Sequence, residues 1–384
     1  MQKNNKLKTI LFWVLLSLNI VGALLLLLSF LAGYLPPSAS GFVVFCGLAF
    51  PYFLVLNIIF IVLWIFFNYR YSLISICVIL LNINTIDKHF QFRATPVPES
   101  CPSSVKVMSY NANLFGLYKD SDMDKRRQER NLIFQMFRRE HPDILCLQEF
   151  FWDKSETLNF HTTDSVLSAL ELGDEPQYSY QYFTDTAQGK YYFGLAIFSK
   201  YRIVSAGPVV KDHSSNAIIY VDIKYRGDTI RVYNAHLTSN RMSAADYAVS
   251  RQITTNTYQD PAFDKNARKL YRKVADAAKI RQEQARLLRK HIDSSPYPVI
   301  VCGDFNDTPA GYCYNLISRK LRDSFRRSGQ GRDITYHGAS MPHYRIDYIL
   351  HEKYYNSFGH TVVEELDVSD HYPIYATISL LKKH

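Results

Sequence analysis

The amino-terminal third of the chain contains apolar runs that constrain its fold more than any other feature. Residues 9–32 carry no charge, and Asn19 is their only strongly polar interruption. Residues 41–67 are also free of charged side chains. About 20 apolar residues cross the hydrocarbon core of a bilayer as a helix, so both runs are predicted to be transmembrane helices. A cleaved signal peptide is the alternative for the first run, but its apolar core is too long and a second span follows closely.

Positive charges flank these runs unevenly. Lys3, Lys6 and Lys8 precede the first run. Arg70 follows the second run, whereas residues 33–40 between the runs carry no charge. Lys and Arg accumulate in cytoplasmic loops, so the amino terminus and Arg70 are predicted to be cytoplasmic.

A third apolar run decides the side of the membrane on which the remainder of the chain lies. It covers residues 72–86, is shorter than the others and carries Asn82 and Asn84. With three crossings, everything after about Asp87 lies outside the cytoplasm, and with two crossings it lies inside. We favour three spans in an inner or plasma membrane with an extracytoplasmic carboxyl-terminal part, and two spans remain the alternative.

The remainder of the chain is predicted to be one large domain. Residues 94–104 contain three prolines and few apolar side chains, as expected for a linker. The predicted organisation is therefore a membrane anchor at residues 1–93, a linker at 94–104 and a catalytic domain at 105–384. The charge of +9 would suit an anionic substrate or an anionic membrane surface. Of the six cysteines, Cys101 and Cys313 could pair outside the cell, although nothing in the sequence requires it.

Strand and helix patterns alternate loosely in the predicted domain. Short apolar runs typical of buried strands occur at residues 105–108, 144–147, 194–198, 298–301, 346–350 and 374–378. Residues 217–225 and 229–236 flank Arg-Gly-Asp, which indicates a hairpin. Residues 124–140 and 264–292 have helical patterns. This arrangement favours an α+β, or mixed α/β, fold with much antiparallel sheet over a doubly wound fold.

Chemically capable side chains follow several of these strands. Asn111 and Asn113 end the first strand, and Glu149 ends the second. The other pieces are Asn234-Ala235-His236, Gly303-Asp304-Phe305-Asn306, Asp347 and Ser369-Asp370-His371. Carboxylate, amide and imidazole groups in loops at strand ends are typical of divalent-metal and general acid/base sites. Each piece alone has a structural explanation as a turn, a helix cap or a buried histidine, but their combination predicts a hydrolase.

In order and spacing, these pieces resemble the endonuclease/exonuclease/phosphatase superfamily. The resemblance extends over about residues 105–380 and rests on the Gly-Asp-Phe-Asn, Ser-Asp-His and Gln-Glu elements together. It implies a four-layer sandwich of two packed mixed sheets flanked by helices. It also implies Mg²⁺-dependent hydrolysis of phosphodiester or phosphomonoester bonds, with Mn²⁺ as a possible substitute.

The resemblance also implies metal-binding roles. Glu149 matches the principal Mg²⁺ ligand of the family, and Asn111 matches the amide beside it. Asn113 competes with Asn111 for that role; we choose Asn111 because it directly follows the aromatic residue of the strand. Asp370 is expected to support the metal shell.

Catalytic roles carry over in the same way. Asp304 matches the residue that positions or deprotonates the attacking water, and Asn306 the amide that holds the nucleophile or a phosphate oxygen. His371 matches the histidine that contacts the scissile phosphate, and Asp347 the carboxylate that orients it. His236 matches a second histidine that donates to the phosphate.

The substrate is not determined by these motifs. Residues 184–192 and 238–263 have the character of substrate-selecting loops, with Lys190 and Arg241 as candidate phosphate contacts. A tethered phosphoesterase would suit a lipid headgroup, and an extracytoplasmic nuclease acting on DNA or RNA is the alternative. A catalytically silent membrane protein that binds phosphorylated ligands is a further alternative. The bilayer is the predicted partner of the amino-terminal helices, and no obligate protein partner is evident.

Overall fold

The computed structural model describes most of the chain. The described residues are 2–173, 175–211, 216–240, 242–243, 246, 248–249, 252, 263–338 and 343–380. All six cysteines lie within these ranges and are free, so the pairing of Cys101 with Cys313 is not present.

Five helices form the amino-terminal part. They are α1 (Gln2–Ala32), α2 (Gly41–Leu48), α3 (Phe50–Phe67), α4 (Ser72–Leu81) and α5 (Ile83–His89). Two helical stretches, Lys6–Ala32 and Phe50–Phe67, are long and apolar enough to cross a membrane. Residues 69–89 form a third stretch that qualifies only as a bent pair of helices, with an angle of 61° between its halves. The second predicted span is broken at Ala49, between α2 and α3.

Polar side chains tie three of these helices together. Asn19 of α1 donates from Nδ2 to Oγ of Ser75 on α4 at 2.7 Å, and it accepts from Nε1 of Trp64 on α3 at 2.9 Å. Ser75 in turn donates to Oδ1 of Asn57 on α3 at 2.9 Å. A buried polar group in apolar surroundings is costly unless it is hydrogen-bonded, so these contacts favour one arrangement of α1, α3 and α4.

Two six-stranded sheets form the carboxyl-terminal domain. The first sheet has the order β11-β12-β1-β2-β4-β3 and the second β5-β6-β7-β8-β10-β9. The strands are β1 (Ser104–Asn111), β2 (Ile144–Asp153), β3 (Ser179–Ala187), β4 (Tyr191–Ser199), β5 (Ile203–Lys211), β6 (Ala217–Tyr225), β7 (Asp228–His236), β8 (Val299–Asp304), β9 (Leu321–Asp323), β10 (Asp347–Glu352), β11 (Asn356–Val362) and β12 (Ile374–Ser379). The helices are α6 (Met123–Glu140), α7 (Thr162–Ala169), α8 (Phe263–Asp293), α9 (Tyr312–Ile317) and α10 (Ser324–Ser328).

The sheets pack face to face with helices on their outer sides. Alternate residues of β1, β2, β6, β7 and β8, including Val107, Ile219 and Ile300, form the core between the sheets. A second core lies between the first sheet and helices α6 and α7. A third lies between the second sheet and helices α8 and α9. The alternation of inward side chains along each strand produces this four-layer order, which confirms the predicted α+β sandwich.

The predicted elements are present with small shifts in their ends. Each predicted strand lies within or overlaps an observed one, and the hairpin is β6–β7. The predicted substrate loop at residues 184–192 is instead the tight hairpin between β3 and β4. Alternating Tyr, Phe and Thr residues in this region are typical of strands, and their signal outweighs that of the central Gln-Gly turn. Most of residues 238–263 lies outside the described ranges.

Candidate active site

Strand register gathers the predicted side chains at one end of the two sheets. In the second sheet, His236 of β7 pairs with Asp304 of β8, which pairs on its other side with Asp347 of β10. In the first sheet, Asn111 at the end of β1 pairs with Gln148, next to Glu149. Because β1 runs parallel to β2, and β7 to β8, the ends of these strands bring their polar residues to a common edge.

Unusual backbone conformations shape this edge. Gly303 has φ of 137°, and a Cβ added there would lie 1.9 Å from the carbonyl oxygen of Ala235. Only glycine therefore allows β8 to approach β7 in front of Asp304. Glu149 has φ of 49° and lies in the register shift where β2 bulges away from β4. A bulge re-aims the side chain that it carries, and here that side chain is Glu149.

Asn111 links the carboxylates of the two sheets. Its Nδ2 donates to Oε1 of Glu149 at 3.3 Å and to Oδ2 of Asp304 at 3.2 Å. Asn113, the alternative, lies farther out, where its Nδ2 donates to Oδ1 of Asp370 at 3.2 Å. The structure thus places Asn111 between the two central carboxylates and Asn113 beside Asp370.

Asp304 is almost fully enclosed, with 1 % of its surface exposed. The backbone N–H of Asn306 donates to its Oδ1 at 2.8 Å, and Nδ2 of Asn306 donates to its Oδ2 at 3.0 Å. Nε2 atoms of His236 and His371 both lie 3.7 Å from the same Oδ2. Burial raises the pKa of Asp304 to about 6, with His371 and His236 opposing the rise and Asp347 adding to it.

His371 and Asp347 form a buried pair. Nδ1 of His371 lies 2.9 Å from Oδ2 of Asp347, so the ring presents Nε2 to Asp304. Oγ1 of Thr335 accepts from the backbone N–H of Asp347, and Oγ of Ser369 accepts from that of His371. Burial lowers the pKa of His371, but Asp347 and Asp304 outweigh it and raise that pKa to about 10. The imidazole is therefore cationic at neutral pH and can donate from Nε2.

His236 completes the group from the side of Glu149. Its Nε2 lies 3.8 Å from Oε1 of Glu149 as well as 3.7 Å from Asp304. Glu149 is the more accessible of these carboxylates, with 31 % of its side chain exposed. Burial raises the pKa of Glu149; His371 lowers it and Asp370 raises it further. All eight residues of the predicted catalytic and metal sets therefore lie in one connected cluster.

Of the two predicted phosphate contacts, Lys190 is not part of that cluster. Lys190 lies at the exposed turn between β3 and β4, where its backbone bonds with Lys154 and Ala187. Arg241 lies outside the described residues.

The sequence motifs contained Gln148 and Asn234, but no role was predicted for these two residues, which join the sheets beside the cluster. Nε2 of Gln148 donates to Oδ1 of Asn234 at 2.6 Å, and Nδ2 of Asn234 donates to the carbonyl oxygens of Leu147 and Ala196. This buried link joins β2 and β4 of the first sheet to β7 of the second. The available signal was a polar side chain in an otherwise apolar strand. Gln148 lies one residue before Glu149, and Asn234 lies two residues before His236.

Another missed residue is Tyr336. Its ring lies 5.0 Å from that of His371 in an edge-to-face arrangement, and its backbone bridges both His371 and Tyr344. Its position in a loop outside any periodic pattern offered no signal.

The donor set fits a divalent metal. Within the described residues, Asp304, Asp347 and His371 offer ligand atoms that lie within 4.8 Å of one another, and Oδ1 of Asp347 has no hydrogen-bond partner there. The accessible carboxylate of Glu149 lies across Asn111 from this group. Hard oxygen donors of this kind suit Mg²⁺ or Mn²⁺. Because Asp347 already holds His371, Glu149, with Asp370 nearby, is the accessible carboxylate that would hold a metal. Asn111 turns its Nδ2 toward both central carboxylates, and its Oδ1 accepts from the backbone N–H of Asn113, so the predicted metal role of Asn111 is not favoured by this orientation.

Comparisons with known proteins agree with this geometry. A model of the Endonuclease/Exonuclease/phosphatase family matches residues 108–371, and a model of a domain of unknown function matches residues 9–89. No curated protein matches the chain at a significant level. Members of the matched family are generally dependent on divalent metals.

Solved structures of the same kind resemble the chain at low identity. An endonuclease/exonuclease/phosphatase family protein from Leptotrichia buccalis is 17 % identical, with a TM-score of 0.48, over 71 % of this chain and 99 % of its own. The human Nocturnin catalytic domain, solved with a sulfate anion, is 17 % identical, with a TM-score of 0.49, over 76 % of this chain and 97 % of its own. D. rerio TDP2 humanized by 14 mutations is 16 % identical, with a TM-score of 0.48, over 72 % of this chain and 99 % of its own.

The charge of His371 can be tested directly by NMR. In the protein labelled at histidine, we expect the His371 ring to stay protonated through neutral pH and to titrate near 10. Because this pKa is raised on folding, its contribution to stability is complete below the unfolded value and is lost as pH rises through the folded one. Asp347→Asn should lower the pKa of His371, whereas Asp367→Asn at the exposed rim is the control and should change it little. A His371 ring that is neutral at pH 7 in the unaltered protein would contradict the assignment.

Proposed function

We propose that this chain, which belongs to the endonuclease/exonuclease/phosphatase family, is a membrane-anchored phosphoesterase that uses a divalent metal, Mg²⁺ or Mn²⁺. The family comprises hydrolases that act on phosphate esters, so the chain is an enzyme of that class. The observation that carries the proposal is the buried Asp304 carboxylate, which faces two histidines and shares Asn111 with Glu149.

Asp304 is proposed to ready the attacking water. Its carboxylate is buried and its pKa is raised to about 6, so at neutral pH it is mostly ionised yet more basic than an exposed aspartate. Asn306 and Asn111 donate to its oxygens and fix its orientation. Asp304 then accepts a proton as the water oxygen bonds to phosphorus, and the bond from phosphorus to the leaving oxygen breaks.

The two histidines are proposed to stabilise the phosphoryl oxygens. His371 is cationic because Asp347 lies on its Nδ1, and its Nε2 points into the space beside Asp304. His236 approaches the same space from the side of Glu149. Preoriented donors in a buried site stabilise developing negative charge without a reorganisation cost in the transition state. A metal held by Glu149 would add Lewis-acid stabilisation of the same charge.

The domain organisation is proposed to follow the sequence prediction, with an anchor at residues 1–93, a linker at 94–104 and a catalytic domain at 105–384. The linker region is mostly exposed and has little regular structure, but it is held at its start. Gln91 exchanges two backbone hydrogen bonds with Gly331, and Thr95 bonds to Ser328 and Gly359. These contacts would restrict the movement of the catalytic domain relative to the anchor.

Three crossings are supported by the packing of the amino-terminal helices, because the end of α1 and the start of α3 contact the catalytic domain and their other ends, within the described residues, do not. Leu26 near the end of α1 and Phe50 at the start of α3 pack with Ala310 of the domain. The opposite ends pack together around Leu16 and Trp64, away from it. The bent pair α4–α5 returns the chain to the side of the domain, so the domain lies opposite Lys3 and Arg70. Together with the charge distribution, this arrangement favours an extracytoplasmic catalytic domain.

This topology is testable with reporters. An alkaline phosphatase fused after His384 in a bacterial host should be active, because that enzyme requires an oxidising, extracytoplasmic compartment. The same reporter fused after Arg70 should be inactive and serves as the matched control. Activity only in the second fusion would show that the catalytic domain lies in the cytoplasm.

Metal dependence is expected to centre on Glu149. The full-length protein in lipid nanodiscs should lose hydrolysis of bis-p-nitrophenyl phosphate in EDTA and regain it with Mg²⁺ or Mn²⁺. Glu149→Gln should raise the metal concentration needed for half-maximal activity, because it removes a ligand charge. Glu156→Gln, on an exposed loop, is the control. Full activity in chelator would contradict a metal-dependent mechanism.

The catalytic assignment predicts strong and non-additive effects. Asp304→Asn and His371→Ala should each lower kcat by at least about 100-fold, as expected for loss of a general base or a charge donor. Asp347→Asn should reproduce part of the His371→Ala defect, and adding it to His371→Ala should change little because the two residues act as one unit. Independent multiplication of their effects would show that Asp347 has another role. A cooperative thermal unfolding transition well above the assay temperature is the control that shows each variant is folded.

A further inference from the structure

The loop that follows the catalytic motif packs directly on the membrane helices. Ala310 is buried against Leu26 of α1 and Phe50 of α3. A Cβ on Gly33 or Gly47 would lie 3.4 or 3.8 Å from the Ala310 carbonyl oxygen, so this loop is in contact with the backbone of α2 and of the turn after α1. Ala310 lies four positions after Asn306, a chain length that spans at most about 14 Å.

The strand that carries Asp347 is also attached to the membrane helices. Nη1 of Arg345 donates to the carbonyl oxygen of Lys88 at the end of α5, at 3.1 Å. The guanidinium is held in turn by Asp323 and Asp333, and all three side chains are buried. Arg345 lies two residues before Asp347, the partner of His371. The backbone that positions Asp347 is therefore attached to α5.

Aromatic residues lie both at the mouth of the site and in the first turn of α3. Tyr336 lies against His371 and forms a backbone bridge with Tyr344. Tyr52 of α3 lies two residues after Phe50, which packs against Ala310 of the domain. Tyr52 itself is exposed. Tyr52 therefore lies on the part of α3 that meets the loop after Asn306.

Exposed aromatic residues mark where the bilayer surface meets this region. Tyr34 and Tyr52 are exposed at the ends of α1 and α3 that face the catalytic domain. Trp13 and Tyr69 are exposed at the opposite ends. Trp13 and Tyr34 are about 30 Å apart at helical rise, which matches the hydrocarbon thickness. Tyr and Trp collect at membrane interfaces, so Tyr52 lies at headgroup level on the side of the site.

We propose that the substrate of this site is a membrane lipid with a phosphate ester headgroup, taken from the leaflet beside Tyr52 while its acyl chains remain in the bilayer. The inference rests on the phosphoesterase function proposed above and adds the class of substrate. The headgroup enters beside Tyr52, and its phosphate reaches His371 and Asp304. A bilayer close to this wall restricts the approach of a nucleic acid duplex, whereas a lipid headgroup is already at the required depth.

The reaction balances as a simple hydrolysis. The water oxygen bonds to phosphorus, and the bond from phosphorus to one ester oxygen breaks. Asp304 accepts a water proton, and the departing oxygen takes a proton from solvent. A phosphodiester lipid yields an alcohol and a phosphate monoester, one of which keeps the acyl chains.

The test compares the same headgroup inside and outside a bilayer. Full-length protein in phosphatidylcholine nanodiscs with Mg²⁺ is given phosphatidylethanolamine, phosphatidylglycerol, phosphatidylinositol, sphingomyelin or phosphatidate, and products are measured by mass spectrometry. Water-soluble deacylated analogues, bis-p-nitrophenyl phosphate, supercoiled DNA and single-stranded RNA are assayed in parallel. We expect at least one bilayer lipid, either an added lipid or the phosphatidylcholine of the nanodisc, to be hydrolysed. Its kcat/KM should be at least about tenfold above that of its soluble analogue, because the acyl chains hold the headgroup at the site.

Paired variants test the entry route. Tyr52→Ala should lower kcat/KM for that lipid by about three- to tenfold, the size of a lost aromatic contact, mainly through KM. Hydrolysis of bis-p-nitrophenyl phosphate, which has no acyl chains, measures any effect of the change on the site itself, and an unchanged thermal transition in nanodiscs shows that the variant is folded. Tyr69→Ala removes an aromatic residue from the opposite interface and should leave both activities unchanged.

Each outcome separates the two proposals. Hydrolysis of bis-p-nitrophenyl phosphate without turnover of any bilayer lipid overturns the lipid inference and leaves the phosphoesterase function intact. The same conclusion follows if DNA or RNA is the better substrate, or if Tyr52→Ala and Tyr69→Ala behave alike. Absence of every activity with Mg²⁺ and with Mn²⁺ overturns the proposed function itself.

Discussion

The burial of the Asp304 carboxylate is the constraint on which the rest of the site depends. A charge with 1 % exposure is costly unless hydrogen bonds and opposite charge offset the lost hydration. Asn111 and Asn306 supply the hydrogen bonds, while His371 supplies a cation. The compensation is incomplete, because the pKa of Asp304 remains raised. That residual cost is what makes the carboxylate more basic than an exposed one.

Keeping Asp304 in this position requires both sheets to be held in register. The Gln148–Asn234 link joins the sheets immediately below the site, and Gly303 allows β7 and β8 to meet without a side chain between them. On the opposite wall, Arg345 is fixed by Asp323, Asp333 and the last turn of α5. The amino-terminal helices therefore contribute to the same frame that positions Asp304, Asp347 and His371.

Much of this arrangement could be predicted from local sequence. The apolar runs at residues 9–32 and 41–67 indicated membrane helices, and short apolar strands ending in Glu149 and Asp304 indicated a polar edge. These signals are local, because a transmembrane helix needs a continuous apolar run and a buried strand needs apolar side chains. The family motifs supplied the expected partners of each strand end, and the structure brings all eight of those residues together.

The sequence by itself thus determined the membrane runs, the class of fold and the residue types at the strand ends. Tertiary structure decided which amide lies between the carboxylates, because Asn111 and Asn113 are equivalent until β1 is placed beside β2 and Asp304. It also decided that Gln148 and Asn234 join the sheets, and that Ala310 and Arg345 meet the membrane helices. These contacts link residues far apart in the chain, and no local periodicity encodes them. Only the packing of complete elements brings such groups within hydrogen-bonding distance.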